Sequence, residues 1–219
     1  MGRSFRKLVT AITFVFSVTF FSTGVEAQLS LGDLASDHGS PPVIQDSVEP
    51  GFSKGIVETG VAAGGALGLK IFGTKATHDL ILGSIDIGRI MSDTKCPGAW
   101  YQGNWELLAE IFGGYQLNHG GAYVVGLTPL VRYNFVDHSR WVPFVEAGGG
   151  VSLTDICRPD LSSRFEFNIQ AGTGIEYFFC KNIAATLQAK YLHISNAGIE
   201  SPDHGVNAAV ILAGLTWFH

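Results

Sequence analysis

Between Arg164 and Tyr177 the chain alternates with a period of two. Arg164, Glu166, Asn168, Gln170, Gly172, Gly174 and Glu176 fall on one side; Phe165, Phe167, Ile169, Ala171, Thr173, Ile175 and Tyr177 fall on the other. Successive strand side chains point to opposite faces, so this is a strand with one polar or small face and one apolar face. A soluble sandwich would alternate in the same way, but about 14 residues exceeds its usual five or six. The run slightly exceeds even the ~9–11 residues of a tilted membrane-spanning strand. Similar segments, bounded by Gly, Asn, Asp and Pro, predict strands over 56–72, 79–91, 104–117, 122–135, 142–153, 164–178, 182–195 and 206–218. Ala62 to Leu69 could split the first of these, but single-chain bacterial barrels have even strand numbers, which favours one strand. The expected fold class is all-β: an eight-stranded antiparallel transmembrane β-barrel, its interior filled by side chains rather than open as a pore. Gly113, Gly114, Gly148, Gly149 and Gly150 would relieve crowding inside so narrow a barrel. The closing run Leu215-Thr216-Trp217-Phe218-His219 fits an interfacial aromatic girdle.

The start of the chain reads differently. Arg3, Arg6 and Lys7 precede the apolar stretch Leu8 to Phe21, and Val25-Glu26-Ala27 suits signal peptidase, so residues 1–27 are expected to be a signal peptide. Residues 28–54 are polar, carry Pro41, Pro42 and Pro50, and are expected to form a flexible lead-in without a core. Residues 55–219 are left for the barrel. No later apolar run approaches the ~20 residues of a spanning helix, so any membrane crossing is by a closed barrel. Signal and barrel together place the chain in the Gram-negative outer membrane. The net charge of −5 and the charged fraction of 15% argue against a nucleic-acid partner, which needs a basic face.

Three cysteines, Cys96, Cys157 and Cys180, lie beyond the signal in an oxidising compartment. An odd number leaves at least one thiol unpaired within the chain, and the spacing suits no metal site. His119, His138 and His204 fall in turns and form no metal-ligand pattern. Gly148-Gly149-Gly150 is a strand feature, since no helix follows to make a phosphate site.

The chemistry is concentrated in Tyr191-Leu192-His193-Ile194-Ser195-Asn196-Ala197-Gly198-Ile199. His193 and Ser195 share a face of the seventh strand, with Cα atoms about 6.5 Å apart, close enough for a hydrogen bond between their side chains. A serine hydroxyl is a weak nucleophile until a base takes its proton, and neutral imidazole is the natural base at neutral pH. Thr186, Gln188 and Lys190 belong inside the barrel. His193 and Ser195 therefore project outward with Leu187 and Tyr191, a poor place for a soluble substrate and a good one for a lipid. Solvated rim residues would look the same, and spacing alone does not separate the two readings.

His193-Ile194-Ser195-Asn196-Ala197-Gly198-Ile199, followed by Ser201-Pro202, Gly205 and Asn207, resembles the closing motif of the lipid A 3-O-deacylase (PagL-like) family. A looser resemblance, including Trp141-Val142-Pro143-Phe144-Val145 through Gly150, covers most of residues 55–219. The resemblance implies an eight-stranded outer-membrane barrel that removes the ester-linked 3-O acyl chain from lipid A with a Ser–His pair on its outer surface. By position, it implies Ser195 as nucleophile and His193 as base. Asn196, or the backbone N–H groups of Ala197 and Gly198, would stabilise the oxyanion. The family pattern has a glutamate where this chain has Asn207. An asparagine can orient an imidazole by accepting from its N–H but supplies no charge. Glu200 and Asp203, the latter where the family often has asparagine, are the alternative orienting residues.

The expected activity is that of a carboxylic ester hydrolase needing neither metal nor cofactor. Its partners would be lipid A of lipopolysaccharide and the membrane, with a homodimer left open. The competing expectation is a non-catalytic barrel, an adhesin or structural scaffold. With both termini periplasmic, the seventh strand ends outside the cell. Turns 136–140 and 179–182 are suitably short, but 91–103 is long for a periplasmic connection and 118–121 short for an extracellular one. That topology also permits one intrachain disulfide, Cys96–Cys180.

Overall fold

The computed structural model describes residues 52–137 and 139–219. The expected signal peptide, nearly all of the expected lead-in, and His138 lie outside them. Eight strands follow in order: β1 (Val57–Gly68), β2 (Leu80–Ile90), β3 (Asn104–Gln116), β4 (Tyr123–Asn134), β5 (Trp141–Thr154), β6 (Phe165–Cys180), β7 (Ile183–Ser195) and β8 (Val206–Phe218). Each pairs antiparallel with its neighbour, and β1 pairs with β8, so the sheet closes. Closure removes the free edges that no bilayer would tolerate. Among the described residues no helix is long and apolar enough to cross a membrane.

β1 is one strand, yet its sequence hardly alternates. Its inward residues beyond Glu58 are Gly60, Ala62, Gly64 and Ala66, as small as many on its outer face. At Gly64 the cause is the approach of β8: a Cβ there would sit 1.9 Å from the Ile211 carbonyl oxygen. β1 stops at Gly68, short of the expected residue 72, because the chain turns sharply at Ile71–Thr74, where the Thr74 N–H donates to the Ile71 carbonyl.

The interior is layered. Arg132 of β4, 2% exposed, reaches Glu146 of β5 at 2.9 Å and Glu58 of β1 at 3.0 Å, with Glu176 at 3.6 Å and Glu106 at 3.9 Å. Its guanidinium lies 4.1 Å from the centre of the Phe144 ring. Lys190 of β7 pairs with Glu110 and lies 3.6 Å from Glu146. Apolar layers cap this charged middle: Leu82, Phe112, Val124 and Ile194 above, and Phe52, Ile90, Phe178 and Phe218 below. Phe52, from the end of the expected lead-in, is thus buried in the lower cap, and its carbonyl accepts from Asn104. Phe218 also points inward, its ring 5.1 Å from both Phe52 and Phe178, so it is not a girdle residue.

The outer wall is apolar, with Ile85, Ile87, Ile111, Leu127 and Leu187 all exposed. Aromatic pairs mark its two borders. Trp105–Tyr133 and Trp141–Tyr177 ring the end where β1 begins, here the lower rim, with centroids 4.8 and 4.5 Å apart. Tyr115–Tyr123 and Phe165–Phe167 ring the upper rim at 4.9 and 5.6 Å. Such belts fit the two headgroup levels of a bilayer.

The long 91–103 connection is at the lower rim, as expected. It is a small folded excursion in which Lys95 bridges to Gly103 and Gln102 donates to the Val136 carbonyl. Turn 117–122 at the upper rim is short because His119, Gly120 and Gly121 all adopt positive φ. The Cys96–Cys180 disulfide is not formed; Cys96, Cys157 and Cys180 are exposed free thiols. Cys96 belongs to the β2–β3 connection and Cys180 to the end of β6, across the barrel, whereas a disulfide needs Cα atoms within about 7 Å.

Removing Arg132 leaves Glu58, Glu106 and Glu176 crowded without a cation, and Glu146 with Lys190 alone. Arg132→Met is expected to cost about 3–5 kcal/mol, measured as a lower urea midpoint in detergent micelles. An unchanged midpoint would show that the cluster does not hold the barrel together.

Candidate active site

β7 alternates strictly: Ala184, Thr186, Gln188, Lys190, Leu192 and Ile194 are buried, while Ala185, Leu187, Ala189, Tyr191, His193 and Ser195 face outward. His193 and Ser195 are half-buried at the upper end of the strand. In the β7–β8 register His193 stands directly opposite Asn207. Opposed residues on one face have Cβ atoms about 4.5–5.5 Å apart, so the three side chains form a row. His193 Nε2 is 3.0 Å from Ser195 Oγ, and His193 Nδ1 is 2.8 Å from Asn207 Oδ1.

Hydrogen bonding sets the polarity of this row. Asn207 Nδ2 donates to Thr74 Oγ1 at 2.6 Å and to the Ile71 carbonyl at 3.2 Å. Both amide hydrogens are spent, so Oδ1 faces the ring and accepts from the Nδ1–H. The Tyr191 hydroxyl donates to the same oxygen. With the proton on Nδ1, Nε2 carries the lone pair and accepts from the Ser195 hydroxyl. Gly205 makes room for the ring. Its φ is +71°, and a Cβ there would lie 2.8 Å from His193 Cε1. No residue with a larger side chain fits both demands.

The 196–205 connection is tied back on itself. Asp203 accepts the Gly198 N–H at 2.7 Å and the Asn196 N–H at 3.3 Å. Asn196 is buried, and its carboxamide donates to Ser162 Oγ at 3.1 Å and the Glu200 carbonyl at 3.0 Å. The expected oxyanion donors Asn196 and Gly198 are therefore already engaged. The Ala197 N–H, at φ +57°, has no acceptor among the described residues. Asp203 serves the loop rather than the imidazole, and the exposed Glu200 makes no bond to the ring.

Asp160 joins three upper loops. Its carboxylate accepts the Lys75 N–H at 2.6 Å, the Ala76 N–H at 2.9 Å and His78 Nε2 at 2.9 Å, and its carbonyl accepts the His204 N–H. Burial works to raise its pKa, but the bonds from Lys75, His78 and Ala76 prevail and hold it below the ordinary aspartate range. The loops that frame Asn207 are thereby fixed to one another.

Beside Tyr191 the outer wall carries an apolar furrow of about 420 Å³. Its floor is Ala171 of β6, Ala189 of β7 and Ala209 of β8; Leu69, Tyr191 and Ile211 stand around it. In register Tyr191 lies between Ala171 and Ala209, one outward position below His193. An alkyl chain laid there would run toward the Ser–His pair.

The structure brings together Ser195, His193 and Asn207, all three of which the sequence motif contains. Tyr191 as a hydrogen-bond donor is not evident from the sequence, although it shares the outward period of His193. Thr74, Ile71 and the steric role of Gly205 are not evident either; the first two lie more than a hundred residues away in sequence.

The family model described as Lipid A 3-O-deacylase (PagL) matches residues 89–216. Among solved structures the chain is similar to the crystal structure of the outer membrane enzyme PagL, at 20% identity over 71% of this chain and 97% of that one, with a TM-score of 0.51. It is similar to that of Neisserial surface protein A (NspA), at 14% identity over 74% of this chain and 95% of that one, also with a TM-score of 0.51. At these identities both likenesses bear on the barrel fold alone. No curated protein matches. The family match covers more than half of the chain and holds Ser195, His193 and Asn207, so this chain belongs to the lipid A 3-O-deacylase (PagL) family.

Proposed function

We propose that this chain is an outer-membrane serine esterase that removes the ester-linked 3-O acyl chain from lipid A of lipopolysaccharide. The supporting observation is the row Ser195–His193–Asn207 on the lipid-facing wall, at the upper rim and above an apolar furrow. A soluble ester would have no reason to dock on a membrane-embedded face. A lipid with headgroup at the rim and acyl chains below meets the row directly.

In this mechanism His193 Nε2 takes the Ser195 proton as Oγ attacks the ester carbonyl carbon. Asn207 Oδ1 holds the Nδ1–H, keeping the ring in the tautomer that leaves Nε2 basic. The negative charge on the tetrahedral oxygen is met by the free Ala197 N–H. As the intermediate collapses, the ester C–O bond breaks and the imidazolium returns its proton to the departing sugar oxygen. An acyl-enzyme on Ser195 remains. Water, deprotonated by His193, attacks it and releases the fatty acid, and the proton goes back to Ser195. Asn207 orients without a full charge. All three groups come from one chain, so the site does not call for a second copy.

Purified protein incubated with lipopolysaccharide in detergent is expected to yield lipid A lacking one acyl chain by mass spectrometry. Ser195→Ala should lower the rate on the order of 10⁴-fold or more. Equal acyl loss by that variant, or intact lipid with the natural chain, would leave only the scaffold reading.

Gly205→Ala places a methyl against the imidazole. A tenfold or greater fall in kcat is expected (roughly 10²-fold for a displacement near 1 Å), with a folding cost of only about 1–2 kcal/mol. A wild-type kcat in a folded variant would contradict the ring contact.

A further inference from the structure

The amide of Asn207 has two ends of similar shape and opposite chemistry. With Oδ1 toward His193 the ring keeps its proton on Nδ1 and Nε2 can accept from Ser195. Turned by half a rotation, Nδ2 would face the ring. A donor would then oppose a donor unless the ring moved its proton to Nε2, and Ser195 would lose its base. Some group must choose between the two states.

Thr74 is buried, and its hydroxyl is held to one direction. Oγ1 is 2.9 Å from the Gly205 carbonyl and 3.3 Å from the His204 carbonyl, which can only accept. Its single proton is committed there, so toward Asn207 it can only accept, and it lies 2.6 Å from Nδ2. The Ile71 carbonyl, 3.2 Å from Nδ2, adds a second acceptor. The turn that presents them is strained. The strain is at Phe72, at φ +52° and 83% exposed, so little packing offsets its left-handed conformation; Gly73 follows at φ +102° without penalty. Such strain persists where surrounding structure over-determines it. Here Asp160 does so, gripping the Lys75 and Ala76 N–H groups immediately after Thr74.

Resting on the hydrolase reading above, we propose that Thr74 is a positioning residue of this site. It fixes the Asn207 amide with Oδ1 toward His193, and the strained Ile71–Thr74 turn holds it there. Proton direction along the row is then set at a backbone carbonyl: Ser195 donates to His193, His193 to Asn207, Asn207 to Thr74, and Thr74 to Gly205.

The test uses the full chain in detergent micelles. It reads kcat and KM on lipopolysaccharide and the rate at which a fluorophosphonate labels Ser195. Thr74→Val keeps the shape and removes the acceptor. It is expected to lower kcat and the labelling rate together by about 10–100-fold, with KM within about twofold of wild type. Thr74→Ser should restore both rates to within about threefold. In an Asn207→Ala background Thr74→Val should have no further effect, because Thr74 acts only through that amide. Thr74→Ala replaces the valine variant in every comparison if valine prevents folding. Wild-type kcat and labelling in Thr74→Val, or an undiminished effect without Asn207, would overturn the proposal. A wild-type chain that neither labels at Ser195 nor deacylates would instead overturn the hydrolase reading, and the proposal with it.

Discussion

In a bilayer an unpaired backbone N–H or C=O costs several kcal/mol, and the continuous ladder from β1 round to β8 leaves no strand edge to incur that cost. Closure fixes more than stability. Once every strand is paired on both sides, each side chain has only two places to go, lumen or lipid, and the choice alternates along the chain. Ser195 and His193 face outward because Ile194 and Leu192 fill the upper lumen. Asn207 faces outward because it opposes His193 across one ladder step. The row is a consequence of register, and a slip of one residue in β7 would turn Ser195 and His193 into the interior and leave Asn207 alone outside.

The lumen supplies the rigidity that such a register needs. In a barrel this narrow, polar side chains from different strands come within reach of one another. Arg132 gathers glutamates from four other strands, and Lys190 joins Glu110 and Glu146. These bonds run across the barrel as well as between neighbours, so the wall carrying the row is braced from inside. Lys190 sits on β7 three residues before His193, on the opposite face of the same strand. Apolar layers close the network above and below, and the low dielectric they provide strengthens its electrostatics.

What was legible in the sequence follows the same logic. β6 declares itself because its inward residues up to Glu176 are polar or glycine and its outward ones mostly apolar. β1 does not, because its inward face beyond Glu58 is Gly60, Ala62, Gly64 and Ala66, no more polar than the Ala63 and Gly65 of its outer face. Phe218 misleads because an aromatic near a strand end fits a girdle or a plug equally well, and only its parity relative to the lumen decides. Ser195, His193 and Asn207 were legible because two are local and the third belongs to a dense motif. Asn196 suggested an oxyanion donor by adjacency alone, whereas its side chain turns inward to Ser162. Thr74 has no local signature. It matters only because the β1–β2 loop folds over the top of β8, and loop paths leave little trace in periodicity.

A neutral residue at position 207 suits what surrounds it. Asn207 is 1% exposed and makes four hydrogen bonds: it accepts from His193 and Tyr191 and donates to Thr74 and Ile71. The glutamate of the family pattern, placed in this pocket, would meet two donors on one side. On the other it would meet the Ile71 carbonyl and a threonine oxygen whose proton is already committed. It would gain charge beside the imidazole and lose two partners for its remaining lone pairs, in a place that water does not reach. Burying a carboxylate against acceptors costs more than the orientation it provides. The asparagine and the Ile71–Thr74 turn therefore form one unit: the amide needs acceptors behind it, and the strained turn provides them.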